Sequence, residues 1–162
     1  MRPWVIAVRE PKLKASSVVK SLHGAFCRDV PRKELLKMAA TRISEAGAPY
    51  TSVFIYLLDE TRNTLVLRAF DGRATDFISI PVGEGICGKA VAEKADLNIP
   101  DVSAASEYLA CSSETNSELV VLIRRHDEIL GEINIDSDVP NGFDDVEVAA
   151  VKKVADALAT LL

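Results

Sequence analysis

The residues best suited to chemistry in this chain are two cysteines followed by two carboxylates on what reads as a single β-hairpin. Cys87 and Cys111 come first, then Glu118 and Asp136. One thiolate can attack an electrophile, and a second thiol can resolve the product as a disulfide. The hairpin runs Glu118 to Arg125 and back from Ile129 to Asp136, and a turn centred on Asp127 sets Glu118 directly opposite Asp136. Like charges across an antiparallel pair are unfavourable. Keeping them there points to a cation, an amine or a proton held between them. Asn134 lies diagonal to Glu118 on the same face, and Glu132 shares that face. Two readings stay open: a polar ligand site within reach of a loop cysteine, or a solvated sheet face, which Glu132 favours.

Each cysteine has a chemical and a structural reading. Cys87 falls in the first turn of a helix over about residues 85–94, where free backbone N–H groups favour a thiolate and Lys89 adds a cation. The alternative is a small apolar residue packed on the sheet. Cys111 sits in the polar loop Ala110-Cys111-Ser112-Ser113-Glu114-Thr115-Asn116-Ser117, and long loops in compact domains are often functional. Cys27, beside Phe26 on an apolar helix face, reads as structural. Tyr56 on the first hairpin and Tyr108 beside Cys111 are suited either to walling a pocket or to packing. Gly83-Glu84-Gly85-Ile86-Cys87-Gly88 spells the GxGxxG of dinucleotide sites. No further βαβ unit follows it, so the glycines read instead as shaping a tight strand-to-helix turn.

The elements that must hold these groups follow from periodicity. Val18, Leu22, Ala25 and Phe26 at helical spacing predict a helix over residues 15–27, and Pro31 starts a second helix with Leu35, Leu36, Ala39 and Ile43 as its stripe. Residues 51–58 and 64–70 form a hairpin, 77–81 and 97–100 form short strands, and 101–117 a long polar loop. A last helix carries Val151, Val154, Ala155, Leu158 and Leu162, with Asp144 and Glu147 spaced as a capping box. This order predicts an α+β fold in which a central antiparallel sheet has the N- and C-terminal helices on one face and a ligand pocket on the other. Residues 1–14 read as an N-terminal arm and 15–162 as one domain. The chain has 162 residues, 48% apolar and 27% charged, with net charge −5, which suits an ordinary globular protein. Its acidity and lack of a basic run argue against nucleic-acid binding, and the longest early apolar stretch is too short for a membrane span. Three widely spaced cysteines suit free thiols in a reducing cytoplasm. No CxxC or histidine pair points to a metal.

With these residues in hand, the chain resembles a GAF domain over about residues 16–162. The motifs are Gly-Glu-Gly-Ile-Cys-Gly-Lys-Ala-Val-Ala, Ile-Pro-Asp-Val, Gly-Glu-Ile-Asn-Ile-Asp-Ser and Phe-Asp-Asp-Val-Glu. Within that superfamily it is similar to the free methionine-(R)-sulfoxide reductases, which Cys87, Cys111, Ser117-Glu118 and Asp136-Ser137 match at the family's spacing. It departs from them where Phe77 replaces a third cysteine, Asn134 the first acid of Asp-x-Asp, and Ser52 a pocket tryptophan. The resemblance implies a reductase of free methionine sulfoxide with Cys111 as nucleophile and Cys87 as resolving thiol. Glu118, Asn134, Asp136, Tyr56 and Tyr108 would bind the substrate. No bound cofactor is expected; an external dithiol such as thioredoxin would return the electrons, and a homodimer is implied. The competing expectation is a non-catalytic GAF domain that senses a small molecule.

Overall fold

Alternation decides what each strand of this sheet buries. Successive side chains of a strand point to opposite faces. In β1 (Ser52–Leu58), Val53, Ile55 and Leu57 therefore face one way while Phe54 and Tyr56 face the other. The computed structural model, which describes residues 8–106 and 112–162, places β1 near the middle of a six-stranded sheet of order β3-β2-β1-β6-β5-β4. The other strands are β2 (Thr64–Asp71), β3 (Ser79–Pro81), β4 (Leu97–Ile99), β5 (Ser117–Arg125) and β6 (Glu128–Ser137), and every pairing is antiparallel.

Three helices cover one face: α1 (Ala15–Cys27), α2 (Arg32–Ser44) and α4 (Asp145–Leu161). Their stripes, including Leu22, Ile43, Val151 and Leu158, close over Val53, Ile55, Val121 and Ile133 as the larger apolar core. The helical stripes are thus consumed within one chain. A second, smaller core lies on the opposite face under α3 (Gly85–Glu93), where Phe54, Tyr56, Val120 and Leu122 meet Ile86, Ala90 and Cys87. Among the described residues no helix is long and apolar enough to cross a membrane.

Several local expectations need correction. β3 begins at Ser79 rather than residue 77, because Phe77 N–H turns to the Thr75 hydroxyl at 3.1 Å. A bulge between Ile123 and Arg124 leaves a tight turn at His126-Asp127, with His126 at φ 56°, instead of one centred on Asp127. The shift is confined to that end, and Glu118 still faces Asp136. Cys27 is exposed, not part of the core. At 100° per residue it stands about 200° round the helix from the buried Ala25. The capping box forms only in one direction: Asp144 accepts from Glu147 N–H at 3.0 Å. The Glu147 side chain turns inward, taking the Tyr50 hydroxyl at 2.5 Å and Lys12 N–H at 2.7 Å, with Arg9 at 3.1 Å. A buried carboxylate gains more from these donors than from one exposed N–H. Residues 9–13 are fastened to α4 in this way.

Candidate functional site

The site is built where β6 runs past the N-terminal half of α3. Along β6 the inward positions are Glu132, Asn134 and Asp136, paired on one side with Tyr56, Phe54 and Ser52 of β1. On the other side they pair with Leu122, Val120 and Glu118 of β5. This face is not solvated. Glu132 is 0% exposed, Asn134 and Asp136 3% each, and Glu118 4%. The reading of Glu132 as the sign of a wet surface is overturned, because Phe54, Tyr56, Val120 and Leu122 share the face and draw α3 down over it.

Cys87 lies at the centre, buried in the second core. Asn134 Nδ2 donates to its Sγ at 3.0 Å and also to Glu118 Oε1, and Sγ lies 4.0 Å from the same oxygen. Tyr56 donates its hydroxyl to the Phe77 carbonyl at 2.7 Å. Ser52 is buried too, its Oγ accepting from Arg73 N–H at 3.0 Å. The structure therefore brings together Cys87, Glu118, Asn134, Asp136 and Tyr56. Tyr108 and Cys111 lie outside the described residues.

Electrostatics on this face run against the thiolate expected at a helix N-terminus. Burial pushes the Cys87 thiol well above its usual value, and Glu132, Glu118 and Asp136 push the same way. Desolvation and three carboxyl groups outweigh the partial charge of a nine-residue helix. Glu118 is also held well above the usual carboxylate range, by burial first and by Asp136, with Asn134 opposing. Burial raises Glu132 to about 8. Glu118 is thus held protonated near neutral pH and able to donate, while Glu132 exchanges its proton at about 8.

The cavity here is about 20 Å³, bordered by Tyr56, Phe77, Cys87, Glu118 and Asn134. That is room for one water, where a ligand pocket usually has about 300 Å³ or more. Among the described residues this cavity is smaller than the amino-acid-sized pocket expected from sequence, and Phe77 and the first turn of α3 border it. Larger grooves of about 690 and 720 Å³ are bordered by Arg32 and Arg68, or by Val8 and Lys14, and include none of the candidate residues. Among the described residues no group of three histidine, cysteine or acidic side chains could hold a metal ion.

Sequence reasoning noted Glu132 and Phe77 but placed neither among the site residues. The signal for Glu132 was available: it occupies the same strand face as Asn134 and Asp136, opposite Leu122 and beside Tyr56. The signal for Phe77 was not, since only the folded loop brings it over the site.

A curved antiparallel sheet with helices on one face and this polar cluster under α3 defines the class. The sequence matches the GAF domain family over residues 31–162, and the chain belongs to that family. Within it, the chain is similar to free methionine-R-sulfoxide reductases. It is 36% identical over 107 residues to the one of Escherichia coli, which covers 66% of this chain and 63% of that relative. It superimposes on the type II free methionine-R-sulfoxide reductase of Thermoplasma acidophilum with TM-score 0.76 and 35% identity, over 80% of this chain and 91% of the other. The Neisseria meningitidis enzyme in complex with its substrate superimposes with TM-score 0.83 and 26% identity, over 96% and 92%. The chain thus spans less than two thirds of the length of the curated Escherichia coli relative.

Proposed function

We propose that this chain reduces free L-methionine-(R)-sulfoxide. The observation that carries the reading is the hydrogen-bonded unit of Cys87, Asn134 and Glu118, with Asp136 paired beside it, on a buried face. Similarity to free methionine-R-sulfoxide reductases supports the substrate.

Cys111, as thiolate, attacks the sulfoxide sulfur. Glu118, kept protonated by burial and by the charge of Asp136, hydrogen-bonds and protonates the sulfoxide oxygen. The oxygen passes to Cys111, methionine departs as the thioether, and Cys111 is left as a sulfenic acid. Two electrons have moved from the cysteine sulfur to the substrate sulfur. Cys87 then attacks the sulfenic sulfur, an S–S bond forms and water leaves. An external dithiol of the thioredoxin kind reduces the disulfide and becomes a disulfide itself. Asp136 remains as a partner for the ammonium group of a free amino acid, a group that peptide-bound methionine lacks. The cavity of about 20 Å³ that Phe77 and α3 border must widen before substrate enters there.

The test is methionine formation from the free R-sulfoxide with dithiothreitol. Turnover should fall to background in Cys111→Ser and slow in Cys87→Ser. Undiminished turnover in Cys111→Ser would remove the proposed nucleophile. A wild-type chain that turns nothing over, yet is stabilised by a small metabolite, would favour ligand sensing.

A further inference from the structure

Glu132 is an anomaly on this face. It has no solvent exposure, and among the described residues neither carboxylate oxygen has a nitrogen or oxygen hydrogen-bond partner; the group set against it is the Cys87 thiol. Its cross-strand neighbours are Tyr56 and Leu122. An orphaned buried carboxyl is costly, and a leucine or valine would complete the apolar cluster. The group beside it is Cys87: Asn134, two positions along the same face of β6, donates to Sγ at 3.0 Å, and Glu132 stands ahead of Glu118 among the charges acting on the thiol. Glu118 is already engaged by Asn134, whereas Glu132 has the Cys87 thiol against it and no other polar side chain bonded to it among the described residues.

We infer that Glu132 is the acid–base partner of Cys87, accepting the thiol proton as Cys87 attacks and returning it when the disulfide is reduced. This rests on the reductase reading and deepens it. The step balances with Glu132 in its ionised form, which grows as pH rises toward about 8: the Cys87 S–H bond breaks with its proton passing to the Glu132 carboxylate, and the new S–S bond forms to the sulfenic sulfur. The sulfur–oxygen bond breaks with its electron pair, and the departing hydroxide takes a proton from Glu118, which has regained one from water after the first step, to leave as water. Reduction by the external dithiol runs the proton back from Glu132 to Cys87. The titratable groups facing the thiol are Glu132 and Asp136 of β6 and Glu118 of β5, with the Tyr56 phenol bordering the same cavity; Lys89, two residues on in α3, stands about 200° round the helix from Cys87.

Two measurements test it, one independent of turnover. In a Cys27→Ser, Cys111→Ser chain, Cys87 is the remaining thiol, and its ionisation is followed by thiolate absorbance. Adding Glu132→Gln should lower the midpoint by about one pH unit, since a neighbouring charge is removed; an unmoved midpoint overturns the pairing. Glu132→Leu, suited to the apolar surroundings, gives the same readout if the glutamine variant fails to fold. In single turnovers of the full chain, methionine release reports the first step and loss of the Cys87 thiol the second. Glu132→Gln should slow the second at least about tenfold, with partial recovery at higher pH. Disulfide formation at the wild-type rate overturns the inference while leaving the reductase reading intact. A wild-type chain that releases no methionine removes that reading, and the thiol titration still decides the pairing.

Discussion

Glu118 and Asp136 show how a residue's surroundings assign its chemistry. They face one another across β5 and β6, and a lone proton on Glu118 relieves the repulsion that two carboxylates would suffer in a buried site. Burial adds to the same shift. Turnover should therefore fall on the alkaline side as Glu118 loses its proton. Glu118→Gln should abolish that limb and reduce the rate about 10²-fold or more, which a kcat profile against pH will show. A Glu118→Gln enzyme with an unchanged profile would mean the proton comes from elsewhere. The pairing was legible from the hairpin alone, because strand geometry has a period of two and the register needed only a turn. Protonation was less legible, since burial depends on what packs over the face.

At the scale of elements, the turn into α3 sets the position of Cys87. Gly83 N–H donates to the Gly88 carbonyl and Gly88 N–H to the Glu84 carbonyl, both at 2.9 Å, folding the turn back on the helix. Gly83 adopts φ 95°, and a Cβ at Gly88 would sit 2.4 Å from the Pro81 carbonyl oxygen and 3.0 Å from Gly83 N. These are backbone atoms that cannot swing aside. Gly88→Ala should therefore cost about 1–3 kcal/mol, measured by denaturant unfolding. It should also lower turnover more than stability alone explains, because α3 is displaced from β3 and carries Cys87 with it. Full activity in a folded Gly88→Ala chain would show that the placement of α3 is not critical. The glycine pattern was visible in the sequence, and its reading as a tight turn agrees with this geometry. Thiolate stabilisation by the helix terminus does not, because the acids facing it belong to strands 31 and more residues away.

For the whole molecule, buried acids make stability depend on pH in a definable direction. The Glu132 carboxyl moves from about 4.5 when exposed to about 8 in the fold. Between those values the native chain binds more protons than the unfolded one, so its contribution is full below about pH 4.5 and lost as pH rises through about 8. Glu118 acts with the same sign. Glu147 acts with the opposite one: burial raises it, but Tyr50, Lys12 and Arg9 outweigh burial and hold it below its usual value. Thermal unfolding should therefore show stability declining from neutral to mildly alkaline pH. Glu132→Leu should reduce that decline and add about 1–3 kcal/mol at pH 8; an unchanged pH slope would show that Glu132 is not the group responsible. The sequence by itself determined the strand alternation, the helical stripes, the register of Glu118 on Asp136 and the family motifs, because these are local periodicities and short spacings. Tertiary structure alone decided that α3 closes over the acid face, that Phe77 borders the cavity and that Glu132 is sealed beside Cys87. Those outcomes depend on contacts between segments distant in the chain, and burial, which sets every charge on that face, exists only once they have packed.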